Sequence, residues 1–434
     1  MTTDPPAAGT IDSEPTLCGA AAARIRDALR NGDPLPGGRG FAGRLTDPPG
    51  RERPVLVRDV LGREPLFVER AAFPSTDGDN SDPGRDPTEP GVWSADRGAL
   101  TDPVAVPAGS VVSERGVERV WTLPSSDPLD PVAGQAAVDA ALGSVLGELG
   151  GGDDDGAQDR GEGDEGGSGR HDGLAVAFSG GVDSGVVAAA APDAPRYVAG
   201  FEGCHDVAAA RTAATEMDRN GPNGDLRVVE ITHDDLVRAV RDVARATGRR
   251  NPMDVAIAVP LYLTAEAAAA DGADRLAVGQ GADELFGGYS KVVDPATDHR
   301  VDADTVRGAR TETVRTLPEQ LERDVLAIRA AGIEPVAPLL DDRIVAAALA
   351  LPGELLAADG ERKIALRRAA AGRVPESVRT ADKKAVQYGT YVSRELDRLA
   401  RQAGFKRRMD DHVGQYLDAL LDEAPGTVRN ATDE

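Results

Sequence analysis

The run Leu174-Ala175-Val176-Ala177-Phe178-Ser179-Gly180-Gly181-Val182-Asp183-Ser184 constrains the fold of this 434-residue chain more than any other stretch. A short, wholly apolar segment reads as a buried strand. It breaks into a glycine-rich turn and then into the helix-prone Gly185-Val186-Val187-Ala188-Ala189-Ala190. Such a strand–turn–helix aims backbone N–H groups and the positive end of a helix dipole at an anion. Gly180 and Gly181 carry no Cβ to hold a phosphate away. Ser179 and Ser184 can donate to its oxygens, and Asp183 offers a hard oxygen ligand for Mg²⁺. No Gly-Lys-Ser/Thr follows, so this is not a Walker loop.

A second strand of the same kind, Leu276-Ala277-Val278-Gly279, runs into Gln280-Gly281-Ala282-Asp283-Glu284-Leu285-Phe286-Gly287-Gly288-Tyr289. From residue 173 onward the pattern alternates, with strands at 173–178, 196–201, 226–231 and 274–279. Helices are expected near 184–191, 206–217, 234–247 and 253–270. That alternation implies an α/β fold with a doubly wound parallel sheet. After 315 helices are predicted at 318–331, 341–350, 361–372, 391–403 and 411–422, a helical C-terminal part. In open parallel sheets ligands sit at the carboxyl ends of the strands, which is where Asp283 and Glu284 fall.

The first motif, SGGVDS, resembles the pyrophosphate loop of the PP-loop ATP pyrophosphatases. The second resembles the GEGADELFGGY signature of asparagine synthetases, matching ten of its eleven positions. Tyr197–Glu202 is similar to the family strand that borders the adenine. Glu361-Arg362-Lys363-Ile364-Ala365-Leu366-Arg367 resembles the family's K-x-x-L-R helix start, and Glu334–Asp341 its E-x-R-x-P-F-L-D, with Val336 and Leu339 in place of arginine and phenylalanine. Arg379 and Lys383 loosely resemble an R-x-K stretch with altered spacing. The resemblance spans roughly 173–390. It implies ATP as substrate, bound by Phe178, Ser179, Gly180, Gly181, Asp183, Ser184, Ala199, Val278 and Gly279. It further implies Mg²⁺ held by Asp183 and Asp283, and catalytic roles for Lys363, Gln280 and Glu284.

Composition supplies the background. With 73 acidic residues against 49 basic the formal net charge is −24, which argues against nucleic acid or an anionic membrane as partner. Only five of the basic residues are lysines: 291, 363, 383, 384 and 406. This acid-rich, lysine-poor and aromatic-poor balance resembles the cytosolic proteins of salt-accumulating haloarchaea. A lysine kept in an arginine-using chain suggests that a compact point charge is needed, and Lys363 is the sharpest case. Cys18 and Cys204 are too few for a disulfide framework or zinc cluster, in keeping with a reducing cytosol. No 18-residue apolar run or signal-like segment appears, so a cytoplasmic location is expected.

Three regions are expected: 1–125, 126–172 and 173–425. The middle one is a helix followed by a Gly/Asp/Glu linker, since 150–172 holds eight acids, two arginines and no large apolar side chain. In the first, Val55–Phe67 resembles the R-D-x-x-G-x-x-P-L-Y strand pair of class II glutamine amidotransferases. Val92–Asp96 and Val106–Gly109 are similar to that domain's closing segments, and 73–91 reads as a Pro/Asp/Gly loop. That class uses an N-terminal cysteine, whereas this chain begins Met1-Thr2-Thr3, and Cys18-Gly19 lies before a helix pattern at Ala21–Arg30. The expectation is a degenerate β-rich remnant serving as a cap or homodimer surface, with ammonia as nitrogen source, free or from a partner protein.

The mechanism the resemblance implies has two steps. The β-carboxylate of aspartate attacks the α-phosphorus of ATP, giving β-aspartyl-AMP and pyrophosphate, and ammonia then expels AMP. Asparagine synthetases carry glutamate at the place of Gln280, and the related β-lactam synthetases tyrosine. Glutamine can neither carry charge nor take a proton. Three readings therefore stand: an ammonia-dependent asparagine synthetase, a relative that adenylates another acceptor, and a non-catalytic ATP-binding regulator.

Overall fold

The computed structural model describes residues 17–74, 85–125, 127–150, 173–219, 224–381 and 386–422. The acidic run from 151, Lys383, Lys384 and positions 75–84 lie outside the described residues. Two compact units divide the chain: Met1–Pro36 with Gly40–Thr122, and Gly37–Arg39 with Leu123–Glu434.

The first unit opens with α1 (Ala22–Asn31), which buries Ile25 and Ala28 and stops where Gly32 turns left-handed. Strands β1 (Ala42–Leu45), β2 (Val55–Arg58), β3 (Phe67–Glu69), β4 (Trp93–Ser94), β5 (Pro103–Ala105), β6 (Ser110–Ser113) and β7 (Gly116–Arg119) follow. They form two antiparallel sheets, ordered β1-β2-β6-β7 and β4-β3-β5. The segments at 55–58 and 67–69, read from sequence as a pair, thus pair with different neighbours. The cause lies between them. Arg58 donates to the carbonyls of Gly62, Glu64 and Val106, while the Asp59 carboxylate accepts from Arg63 Nε and the Leu61 and Arg63 N–H groups. This buried polar corner redirects the chain into the second sheet.

The second unit carries α2 (Pro131–Gly150), then β8 (Leu174–Ala177), α3 (Val182–Ala190), β9 (Arg196–Gly200), α4 (His205–Asp218), β10 (Leu226–Glu230), α5 (His233–Thr247), α6 (Pro252–Ala270) and β11 (Arg275–Ala277). After α7 (Ala282–Phe286), α8 (Val306–Arg315) and α9 (Leu317–Ala330) comes a fifth strand, β12 (Glu334–Val336). Sequence reading missed it, because three residues containing a proline carry no strand periodicity. An edge position tolerates the lost donor. The sheet is parallel throughout, in the order β10-β9-β8-β11-β12. The chain winds outward through β9 and β10, then crosses to β11 on the other side of β8. The switch point therefore falls between β8 and β11, the two strands that feed the two motifs.

Apolar β8 is buried as a central parallel strand must be, and a core of Ala175, Tyr197, Leu276, Val278, Ala265 and Ile328 forms around it. α6 is, among the described residues, the one helix long and apolar enough by composition to cross a membrane. Its Val255, Ala258, Val259, Leu263 and Ala268 are fully or almost fully buried in the core. The chain continues through α10 (Asp342–Leu349), α11 (Gly353–Leu356), β13 (Ala357–Ala358), β14 (Glu361–Arg362), α12 (Ile364–Ala369), α13 (Glu376–Thr380), α14 (Val386–Gly389), α15 (Val392–Gln402) and α16 (His412–Asp422). The helix expected over 361–372 is shorter than that. Glu361 and Arg362 close a hairpin onto Ala357 and Ala358 through Asp359-Gly360, both at positive φ (52° and 82°). That is the backbone a two-residue type I′ turn demands.

Candidate functional site

At the switch point a cleft of about 550 Å³ opens, lined by both motifs. The volume is in the range of a nucleotide-sized ligand site. Of the residues singled out from sequence, Phe178, Ser179, Gly181, Asp183, Ser184, Ala199, Val278, Gly279, Gln280, Asp283, Glu284 and Lys363 all line it. Gly180 is set behind the wall. It has φ 80°, and a Cβ there would meet the Ala209 backbone at 2.8 Å. At this φ and with the Ala209 backbone so close, the turn needs a residue without a Cβ.

The phosphate-loop reading has a geometric counterpart. Ser184 Oγ accepts from the Ser179 N–H at 3.2 Å and lies 3.3 Å from Ser179 Oγ, which draws the loop into a ring. Gly181 precedes α3 and places no side chain over the first-turn N–H groups of that helix. Those donors are the ones an anion would take.

Lys363 is the centre of the site. It is 7% exposed and sits at φ 56°, between β14 and α12. Its Nζ lies 2.6 Å from both Asp183 Oδ2 and Asp283 Oδ1. Burial works against its charge, but the two carboxylates outweigh it and hold the ammonium above the usual lysine range. Gly288 makes room: a Cβ there would lie 1.9 Å from Asp283 Oδ1 and 2.3 Å from Lys363 Cε. Arg362 Nη1 donates to the Gly288 carbonyl at 2.6 Å and ties the hairpin to this loop.

Glu284, next in the chain to Asp283, is buried. Its Oε1 accepts from Tyr289 Oη at 2.5 Å. Burial, with the neighbouring Asp283 charge, pushes its carboxyl up to about 7 despite that hydrogen bond. Burial and Glu284 push the Tyr289 phenol well above its usual range.

Gln280 donates through Nε2 to Asp324 Oδ2 at 2.7 Å. Asp324 Oδ1 accepts from Arg323 Nε at 2.7 Å, and Arg323 Nη1 reaches Asp254 Oδ1 at 2.8 Å. Tyr289, Arg323, Asp324, Arg362 and Gln387 also line the cleft, and sequence reading named none of them as site residues. One signal was legible: Arg323-Asp324 interrupts the apolar side of α9, and a charge pair buried there needs partners. Two sequence suggestions stay outside the cleft lining. Arg379 pairs with Glu376 at 3.5 Å, and Val336 contributes to the β12 edge. In the other unit Cys18 is bonded through its backbone, its N–H donating to the Ala42 carbonyl at 2.9 Å.

No group of three or more His, Cys, Asp or Glu able to hold a metal converges among the described residues. Two carboxylates do converge, and Asp183 Oδ1 is buried with no hydrogen-bond partner among the described residues. That donor set suits a hard divalent cation whose remaining ligands are oxygens of a bound phosphate chain or water.

Fold and cleft together define a doubly wound α/β protein with a cleft at the sheet's switch point. Residues 172–310 and 297–431 match the family described as Asparagine synthase. The chain belongs to that family. It is also 26% identical over 284 residues to a Methanocaldococcus jannaschii protein named "Putative asparagine synthetase (glutamine-hydrolyzing) 1". That match covers 57% of this chain and 51% of the relative, so about half the relative's length is spanned.

Proposed function

We propose that this protein is an ATP-dependent, AMP-forming amide ligase of the asparagine synthetase type, joining ammonia to the β-carboxylate of aspartate. The observation that carries this reading is Lys363 held at 2.6 Å from Asp183 and Asp283 in the cleft that both motifs line. In this reading the Ser179–Ser184 loop and the start of α3 take the pyrophosphate end of ATP. Ala199, Val278 and the apolar Ile257 and Leu261 take the adenine end. Asp183 and Asp283 hold Mg²⁺, which when bound offsets the triphosphate charge. The Lys363 ammonium, beside both carboxylates, would supply positive charge near the phosphates, where charge builds as the aspartate carboxylate attacks. Adenylation is needed because a carboxylate is a poor electrophile, whereas its mixed anhydride with AMP has a good leaving group. Ammonia attacks that carbonyl and AMP departs.

The nitrogen source in this reading is ammonium, free or from a partner protein. The Cys18 nitrogen is an amide engaged in a β-bridge, not the free amine an N-terminal-nucleophile glutaminase uses to activate its thiol. A second reading, a relative that adenylates another acceptor, is favoured by Gln280, which stands where the family signature has glutamate. Pyrophosphate release assayed across amino acids in high salt separates them. Release that depends on aspartate, with asparagine formed on adding ammonium, is the expected outcome. Release with another carboxylate alone supports the second reading, and no release with any acceptor overturns both.

A further inference from the structure

Asp324 is 7% exposed, and both of its oxygens are taken: Oδ1 by Arg323 Nε and Oδ2 by Gln280 Nε2, each at 2.7 Å. Arg323 is itself locked between Asp324 and Asp254 at 2.7 and 2.8 Å. A carboxylate paired to arginine only accepts, so the group Gln280 turns toward it must be the NH₂. The planar amide then carries its Oε1 on the opposite side. That oxygen has no hydrogen-bond partner among the described residues, and Gln280 lines the cleft.

We propose that Asp324 is a positioning residue that fixes the Gln280 amide with its carbonyl oxygen toward the cleft, making residue 280 an acceptor for the N–H groups of the nitrogen nucleophile. The inference rests on the amide-ligase reading and adds to it how this chain works with glutamine at that place. A glutamate side chain at position 280 would put a second carboxylate 2.7 Å from Asp324, where the two would repel. The pair thus explains the departure from the family signature: with aspartate at position 324, an uncharged donor–acceptor is the residue that fits at position 280. Both Asp324 oxygens accept from fixed donors in this arrangement. Asp324 selects an uncharged or cationic nitrogen donor by orienting one neutral oxygen.

The test measures two half-reactions in the full-length protein: aspartate-dependent ATP–pyrophosphate exchange, which reads adenylation, and asparagine formation against ammonium concentration. Asp324→Asn lets the amide at position 280 reverse. The KM for ammonium is expected to rise about tenfold more than exchange falls, the worth of one good hydrogen bond. Gln280→Glu is expected to be impaired in the same step. The double variant Gln280→Glu/Asp324→Asn is expected to recover, since the amide introduced on α9 can donate to the carboxylate introduced opposite it. An unchanged ammonium KM in Asp324→Asn, or a double variant no better than Gln280→Glu, overturns the proposal. Absence of aspartate-dependent exchange in the unmodified protein would count against the functional reading alone. The clamp is then read by thermal unfolding, which needs no substrate. Gln280→Glu should lower Tm and the double variant restore it, and failure of that restoration overturns the clamp.

Discussion

Lys363 sits in a space bounded by two carboxylates and by Gly288. Its ammonium fits between Asp183 and Asp283, and its Cε passes so close to Gly288 that a methyl group there would collide with it. Lys363→Arg keeps the charge but brings a planar fork into a space shaped for a point, and pyrophosphate release is expected to fall at least about 100-fold. Asp183→Asn and Asp283→Asn are expected to abolish release while far-ultraviolet circular dichroism stays unchanged. Each removes one negative charge and almost no volume. Near-normal release in either would remove the carboxylates from the metal role. Glu284 gives a pH test. Its carboxyl is raised from the usual 4.5 to about 7 in the folded protein, so the native state holds a proton that the unfolded chain has lost. Its share of stability is therefore greatest below 4.5, declines as pH rises through the window from 4.5 to 7, and levels off above. Glu284→Gln should abolish that decline. Urea unfolding of the nucleotide-free protein at pH 5 and pH 8 is expected to show the variant gaining up to about 3 kcal/mol on the parent. Parallel stability–pH curves would mean that Glu284 stays ionised.

Among the elements, α5 shows how local chemistry sets a boundary. Thr232 Oγ1 accepts from the Asp235 N–H at 3.1 Å, and Asp235 Oδ2 accepts from the Thr232 N–H at 3.1 Å, a reciprocal capping box. Gly248 in the left-handed region ends the helix. Thr232→Ala is expected to cost about 1 kcal/mol, read as a lower denaturation midpoint at unchanged slope. The helices of this region were legible within a residue or two, because caps and apolar periodicity act within one turn. The Ala357–Arg362 hairpin was not. Two-residue strands carry no period, and the lysine-led segment after them reads as helix from its first residue. Only the Asp359-Gly360 turn signalled the reversal that leaves Lys363 at positive φ.

At the scale of the molecule the net charge of −24 is the dominant physical fact. Many surface carboxylates pair with arginine, as Arg238 does with Glu266 and Arg250 with Asp422, but acids still outnumber bases. Unpaired acids repel across the surface, and salt shortens the reach of that repulsion from about 10 Å at 0.1 M to about 3 Å at 1 M. Tm is expected to climb steadily with KCl between about 0.2 and 3 M, well beyond the gain of a charge-balanced protein of similar size. A flat profile would show that the acidic surface is not a salt adaptation.

The sequence alone determined the parallel sheet and the two motifs at its centre, whose loops line the cleft, because each is written in contiguous residues. Buried strands are continuous apolar runs, and a phosphate loop is glycine and serine in a fixed order. What the tertiary structure decided is which distant side chains meet. Lys363 reaches Asp183 across 180 positions of chain and Gln280 meets Asp324 across 44. No local pattern encodes such pairs. Burial selects them, since a charge or amide removed from water must find its partner wherever the fold places one.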